Sequence, residues 1–540
     1  MLSAFLSIFL SIFAPPVDYE ISLAGNFGEP RPHHFHGGLD VRTDGREGKH
    51  IYAIGDGYVS RITIGKDGFG NAIYITHPSG QTSVYCHLKS FSPRIKAALR
   101  RYQYKHQTSE ADARLTPLEV PVSQGQFIAL SGNTGHSTAP HLHLEIHDSK
   151  TWNMLDPYQF LNEYINDTVP PQDHAFMAIP QDGSFNGSPQ PSTFNVKPST
   201  CSAWGRVGFA VWADDYMQGS YNHYGIHETL LYVDGQMVFH SVVDNIPTSQ
   251  NRMVNSWGVY NHWLRNHTWY MKSYREPGNA LACLSVDEHR GIVNFNEERD
   301  YQLEYVLRDY KGNETRYPFI VQGRRSTIVS QCPQPPLLRW NRTTSYSRPG
   351  MQLIVPYGLV ATDTPLQFFV HHREDSYSDT YRFSSSSLPL MADAELSLYV
   401  RRPFSDAVVT SFDPSKLYLS DERGRYMGGN YHDGWLTGYI RELGGSYQVE
   451  YDDERPVVTP ITLSGHRLLF NVVDTKSGID SWTATVDNRF VVFDAIEKTT
   501  TFACELRESW LRPSGQTHQL HFEVTDNRKN TSVYEATFDY

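Results

Sequence analysis

From position 141 to 147 polar and apolar residues alternate without a break, His141-Leu142-His143-Leu144-Glu145-Ile146-His147. A run with that period is committed to an extended strand with one wet face and one buried face. Short apolar runs recur at 49–54, 57–64, 71–77, 81–88 and 127–131, each bounded by turn residues that include glycine. From 18 to about 161 this spacing predicts a compact antiparallel β domain. Between Ser92 and Pro121 the texture changes: Pro93 stands at a first helical turn and is followed by Arg94-Ile95-Lys96-Ala97-Ala98-Leu99-Arg100-Arg101, which predicts a short helix inserted between two strands.

A chain of 540 residues is too long for one hydrophobic core, and domains of about 150 residues imply three or four of them. The stretch 167–200, rich in Pro, Gly, Ser, Asn and Gln, reads as a linker. Beyond it the pattern is β throughout, with no convincing helix. Two parts echo each other: YQLEYVLRDYKGNETRY (301–317) aligns without a gap onto HQLHFEVTDNRKNTSVY (518–534), pairing Asp309 with Asp526 and Asn313 with Asn530. Upstream, Asp214 aligns with Asp474, and Val233-Asp234 with Val486-Asp487. These segments read as copies of one immunoglobulin-like sandwich. The expected division is a signal-like apolar segment at 1–16, a first β domain at 17–166, the linker at 167–200, a β-sandwich module at 201–327, a β module without a clear copy at 328–454, and a second immunoglobulin-like module at 455–540.

The run from Leu2 to Ala14 is almost wholly apolar and too short to span a bilayer about 30 Å thick, so it reads as a secretory signal core, with a buried N-terminal strand or helix as the competing reading. An exported protein of the periplasm or cell envelope is expected. A net charge of -12, from 59 acidic and 47 basic residues, excludes the footprint of a nucleic-acid binder. A hydrophobic content of 39% fits a soluble protein without an integral membrane span. Five scattered cysteines form no C-x-x-C pair and no dense disulfide framework, leaving room for one or two isolated bridges.

In the 141–147 strand His141, His143 and Glu145 share the polar face. His36-Gly37-Gly38-Leu39-Asp40 offers an imidazole and a carboxylate four positions apart, with a glycine pair that permits a tight bend. A catalytic zinc takes three N or O ligands and keeps one open position, a count that His36, Asp40 and His143 satisfy. In the 81–88 strand Tyr85 and His87 are expected on one face and Cys86 on the core side. His87 and His141 are then candidates to flank the metal, one moving a proton and one stabilising an oxyanion. Glu145 either orients a ligand or forms a salt bridge at the rim.

The string Gly132-Asn133-Thr134-Gly135-His136-Ser137-Thr138-Ala139-Pro140-His141-Leu142-His143-Leu144-Glu145 resembles the G-x-T-G-x-S-T-x-P-H-L-H-x-E signature of lysostaphin/LytM-type zinc metallopeptidases. His36-x-x-x-Asp40, the 51–59 hairpin, Gly70-Asn71 and Tyr85-x-His87-Leu88 follow the same family order. The resemblance covers about residues 20–161. It implies a LytM-type antiparallel β catalytic domain, one Zn2+ per chain held by His36, Asp40 and His143, and catalytic roles for His87 and His141. Its implied activity is hydrolysis of peptide cross-links in bacterial peptidoglycan. A non-catalytic activator or scaffold of other wall hydrolases is the alternative, and the C-terminal β modules are candidates to engage an envelope protein. Ala139 replaces a glycine usual in the family. The 92–121 stretch is longer than the usual connection, and its place after His87 predicts that it shapes the groove.

Overall fold

Leu142, Leu144 and Ile146 are all fully buried, together with Leu39, Val41, Ile62, Ile73 and Tyr85, in the core of the first domain. The apolar half of the 141–147 alternation therefore has the burial that its period dictates. The computed structural model describes residues 13–540 apart from 66–67, 197–200, 329–335, 404–411 and 497. The main sheet of this domain runs Leu23–Gly25, Gly38–Arg42, His141–Asp148, Gln81–Cys86, Ala72–Thr76, Gly57–Ile64 and Ala111–Arg114, every neighbour antiparallel. The chain is mainly β, as the alternation predicts.

Two close approaches set the register at the centre of this sheet. A Cβ on Gly38 would lie 2.2 Å from the carbonyl oxygen of Leu144, and one on Gly37 would lie 2.5 Å from Glu145 Oε1. The glycine pair is needed for room against the neighbouring strand. With it, Asp40 pairs directly with His143.

The helix forms over Pro93–His106, with Pro93 in its first turn and left-handed Gln107 closing it. Its buried face carries Ile95, Ala98, Leu99 and Gln103. The helix does not shape the groove, contrary to the expectation for this insertion. It docks instead on the C-terminal module: Arg100 donates to Asp494 at 2.9 Å and to Glu508 at 3.0 Å, and Lys96 pairs with Glu508.

The stretch read as a linker holds a long strand, Gln172–Phe185, antiparallel to Cys201–Asp214 in the sheet of the second module. Phe176, Ala178 and Phe185 are buried in that module's core, so apolar residues placed among the polar ones outweigh the composition. This module is also joined to the first domain. Asn245–Ile246 extends the sheet by pairing with Met154–Leu155, and Met217 and Tyr224 fill the first domain's core. Two short helices, Val254–Trp257 and Tyr260–Asn266, were not legible in the sequence, since neither has a side-chain cap.

The signal-like segment lies mostly outside the described residues. Its described end is packed: Phe13 is buried against Phe160, and the Ala14 amide donates to the Ile54 carbonyl at 2.7 Å. Cys86, Cys201, Cys283 and Cys504 are free thiols, and Cys332 lies outside the described residues. No helix among the described residues is long and apolar enough to cross a membrane.

Candidate metal centre

Three side chains from separate stretches meet beside the sheet. Asp40 Oδ1 lies 3.0 Å from His36 Nε2 and 2.7 Å from His143 Nδ1, and the two nitrogens are 3.0 Å apart. All three residues are buried. The far side of each ring is already committed. His36 Nδ1 donates to the Asn26 carbonyl at 2.5 Å, and His143 Nε2 donates to Glu145 Oε1 at 3.0 Å. In the neutral rings those bonds leave His36 Nε2 and His143 Nδ1 as bare lone pairs facing a carboxylate. Three acceptors aimed at one point are satisfied by a cation and by little else.

Without a cation, a proton takes its place. His143 is buried, and although burial alone lowers its pKa, the hydrogen bonds and charges of Asp40 and Glu145 raise it to about 9. Burial opposes ionisation of Asp40, but His36, His141 and His143 together hold it far below the ordinary carboxylate range. The donor set of two imidazole nitrogens and one carboxylate oxygen is the composition that zinc accepts. Glu145 is locked from both sides, accepting from His143 at 3.0 Å and from His147 Nε2 at 2.6 Å. Its geometry is that of an orienting residue and not of a rim salt bridge.

His87 and His141 stand next to this cluster, with ring centroids 4.9 Å apart. His141 Nδ1 donates to the Ala139 carbonyl at 2.8 Å, and its Nε2 lies 3.3 Å from Asp40 Oδ1. His87 Nδ1 donates to the Thr134 carbonyl at 2.8 Å. The strand ends at Cys86, and His87 itself has φ 60°, so strict alternation fails at this residue. Tyr85 consequently points into the main core, where its hydroxyl accepts from the Ile54 amide at 2.9 Å, while Cys86 packs with Ala72, Tyr74 and Val84 under Phe69. The expectation that Tyr85 shares a face with His87 and that Cys86 joins the main core is thus corrected by a left-handed backbone at one residue.

The loop that presents His87 and His141 is held by glycines. A Cβ on Gly135 (φ 67°) would sit 2.4 Å from the Gly70 amide nitrogen, and the Asn71 amide donates to Thr134 Oγ1 at 2.9 Å. His77 closes a hairpin through bonds between its backbone and residues 80 and 81, and its ring pairs with Ser83 Oγ at 2.8 Å.

These groups line one groove of about 1100 Å³. Part of its wall comes from the second module, through Thr248 and Asn251, which sequence reasoning did not find. Asn251 Oδ1 accepts from the Phe35 amide at 2.6 Å and Asn255 Oδ1 from the His33 amide at 2.9 Å, clamping the segment that leads into His36. From the far end of the chain, Lys498 Nζ donates to the Ser137 carbonyl at 2.6 Å.

Residues 34–103 match the model of peptidase family M23, and residues 335–452 match that of the Zu5-like domain. An uncharacterized metalloprotease of Haemophilus influenzae is 33% identical over 120 residues, which is 22% of this chain and 19% of that protein. The peptidoglycan DD-endopeptidase ShyA of Vibrio cholerae is 31% identical over 137 residues, 24% of this chain and 26% of that protein. The chain thus spans only about a fifth to a quarter of the length of these relatives. Among solved structures, the catalytic domain of lysostaphin from Staphylococcus simulans aligns with 27% of this chain and 92% of its own, at 24% identity and a TM-score of 0.20.

Proposed function

We propose, from the premise that the N-terminal third of this chain is an M23 peptidase domain of the lysostaphin/LytM type, that the protein is a zinc-dependent endopeptidase acting on peptide cross-links of bacterial peptidoglycan in the periplasm or cell envelope. The observation that carries the reading is the convergence of His36 Nε2, His143 Nδ1 and Asp40 Oδ1 within 3.0 Å of one another. These three residues would hold the ion, whose chemistry when bound is Lewis-acid activation of a water and polarisation of the scissile carbonyl.

The chain's own groups supply the remainder. His87 is kept neutral, since burial and the neighbouring His143 and His141 lower its pKa to about 3. Its Nδ1 proton is engaged by Thr134, so Nε2 is the atom free to take a proton from an attacking water and return it to the leaving amine. His141, fixed by the Ala139 carbonyl through Nδ1, presents Nε2 on the other side, where in its doubly protonated form it donates to the oxygen on which negative charge develops. Glu145 and Asn26 hold the two ligand rings in orientation. Burial of His36, Asp40, His87 and His143 strengthens each of these interactions.

Purified sacculi incubated with the zinc-loaded full chain, followed by mass analysis of the released muropeptides, test activity and bond together. Soluble products that disappear with His87→Ala and with a chelator support the reading. Digestion that continues in the chelated protein refutes it.

A further inference from the structure

The two copied modules share a second piece of chemistry, away from the groove. In the first copy Asp167, Asp215 and Asp309 bring carboxylate oxygens within 4.8 Å of one another, and in the second Asp452, Asp474 and Asp526 do the same. The correspondence is atomic. Asp309 Oδ1 accepts from the Asn313 amide and Oδ2 from Asn313 Nδ2, at 2.8 and 2.6 Å. Asp526 accepts from Asn530 in the same way, at 2.8 and 2.7 Å. The remaining Nδ2 proton of each asparagine reaches the carbonyl of the aspartate that enters the module, Asp167 at 3.3 Å and Asp452 at 2.8 Å. Each triad therefore ties the chain arriving from the preceding domain to the body of its own module.

None of these six aspartates is ion-paired among the described residues. Lys311 lies beside the first triad but directs its Nζ to the Asn162 carbonyl at 2.6 Å, and Lys476 directs its Nζ to Glu454 at 3.0 Å. Asp215 is only 5% exposed, yet its Oδ1 has no hydrogen-bond partner. It faces a small space of about 10 Å³ lined also by Asp167, His227, Tyr310 and Lys311, room for one water-sized particle. In the second copy the buried hydroxyl of Ser477, whose amide donates to Asp452 Oδ2 at 3.0 Å, likewise has no partner. A buried carboxylate oxygen with no partner and two carboxylates beside it is costly unless a cation or a proton neutralises it.

We propose that each triad binds a hard divalent cation of the calcium class, one at the junction of the peptidase domain with the second module and one at the entry to the last module. All the side-chain donors are oxygen, which favours calcium over zinc, and three carboxylates supply the charge that calcium sites use. Burial first, and then the neighbouring aspartates, raise Asp215 to about 9 and Asp167 to about 6, the latter in spite of the Lys311 charge. The inference is independent of the peptidase reading, since neither triad touches the groove.

The test is calorimetric titration of the full chain, stripped of metal and reloaded with one equivalent of zinc, with CaCl2. Two equivalents of calcium are expected, one in Asp215→Asn or Asp474→Asn, and none in the double variant. Thermal melts in EGTA control for folding: each variant is expected to melt with the wild type there, while only the wild type gains its full shift in calcium. Absence of calcium binding by the wild type, or two equivalents retained in the double variant, overturns the proposal. Sacculus digestion enters neither readout, so failure here is distinguishable from failure of the peptidase reading.

Discussion

The Nδ1 proton of His87 is spent on the carbonyl of Thr134, at 2.8 Å, so the nitrogen that His87 offers to the groove is unprotonated. Burial, followed by the adjacent His143 and His141, moves its pKa from 6.5 down to about 3. A histidine whose folded pKa lies below its unfolded value binds fewer protons in the fold. Its neutral form therefore adds stability above about pH 6.5, and this is lost as pH falls from there toward 3. At pH 4.5 the loss from this group alone is about 3 kcal/mol. Urea melts of chelated protein at pH 7.5 and 4.5 are expected to show a gap smaller by about that amount in His87→Gln. Equal gaps in the two proteins would show that the environment of His87 is not what shifts it.

Glu145 links His143 to His147, with no lysine or arginine paired to it among the described residues. Glu145→Gln keeps the shape and removes the charge that fixes the His143 ring. Zinc affinity, measured by competition with a chromophoric chelator, is expected to fall about 10–100-fold. A His147→Phe variant, which leaves the His143 bond in place, is expected to lose less. Unchanged affinity in Glu145→Gln would contradict the orienting role.

Gly38 allows the Asp40 strand to lie against the His143 strand, where a Cβ would meet the Leu144 carbonyl at 2.2 Å. Backbone cannot move aside as a flexible side chain can. Gly38→Ala is expected to cost about 1–3 kcal/mol in denaturant unfolding and to weaken zinc binding with it. Full stability in this variant would mean that the strand spacing is not fixed by that contact.

Met217 and Tyr224 belong to the second module in sequence and to the first domain's core in space, and the Tyr224 hydroxyl donates to the Leu23 carbonyl at 2.9 Å. A fragment ending at residue 166 is therefore expected to melt well below one ending at 327, since fully burying each such side chain contributes about 1.5–3 kcal/mol. Equal melting temperatures would establish that the peptidase domain needs nothing downstream.

The strand period and the spacing of histidines made the sheet and its polar face legible in advance, because both follow from alternation along an extended backbone. His36, Asp40 and His143 were legible as a set for the same reason: their residue types and order limit what they can do once brought together. Tyr85 and Cys86 were not, because a left-handed residue at His87 resets the alternation and one dihedral leaves no trace in hydrophobic pattern. The strand at Gln172–Phe185 was hidden by the turn-forming residues around Phe176 and Phe185. Asp215 shows the limit of alignment: sequence matching paired Asp214 with Asp474, but the residue that meets Asp167 and Asp309 is its neighbour. Long-range packing such as Asn251 on Phe35 has no local signal at all.

X-ray absorption at the zinc edge of the full chain carrying one equivalent of zinc tests the metal centre most directly. A shell of nitrogen and oxygen at about 2.0–2.1 Å with the scattering of two imidazoles is expected, lost in His143→Ala. A sulfur shell at about 2.3 Å, which would implicate Cys86 on the strand beside His143, or an unaltered spectrum in His143→Ala, would contradict it.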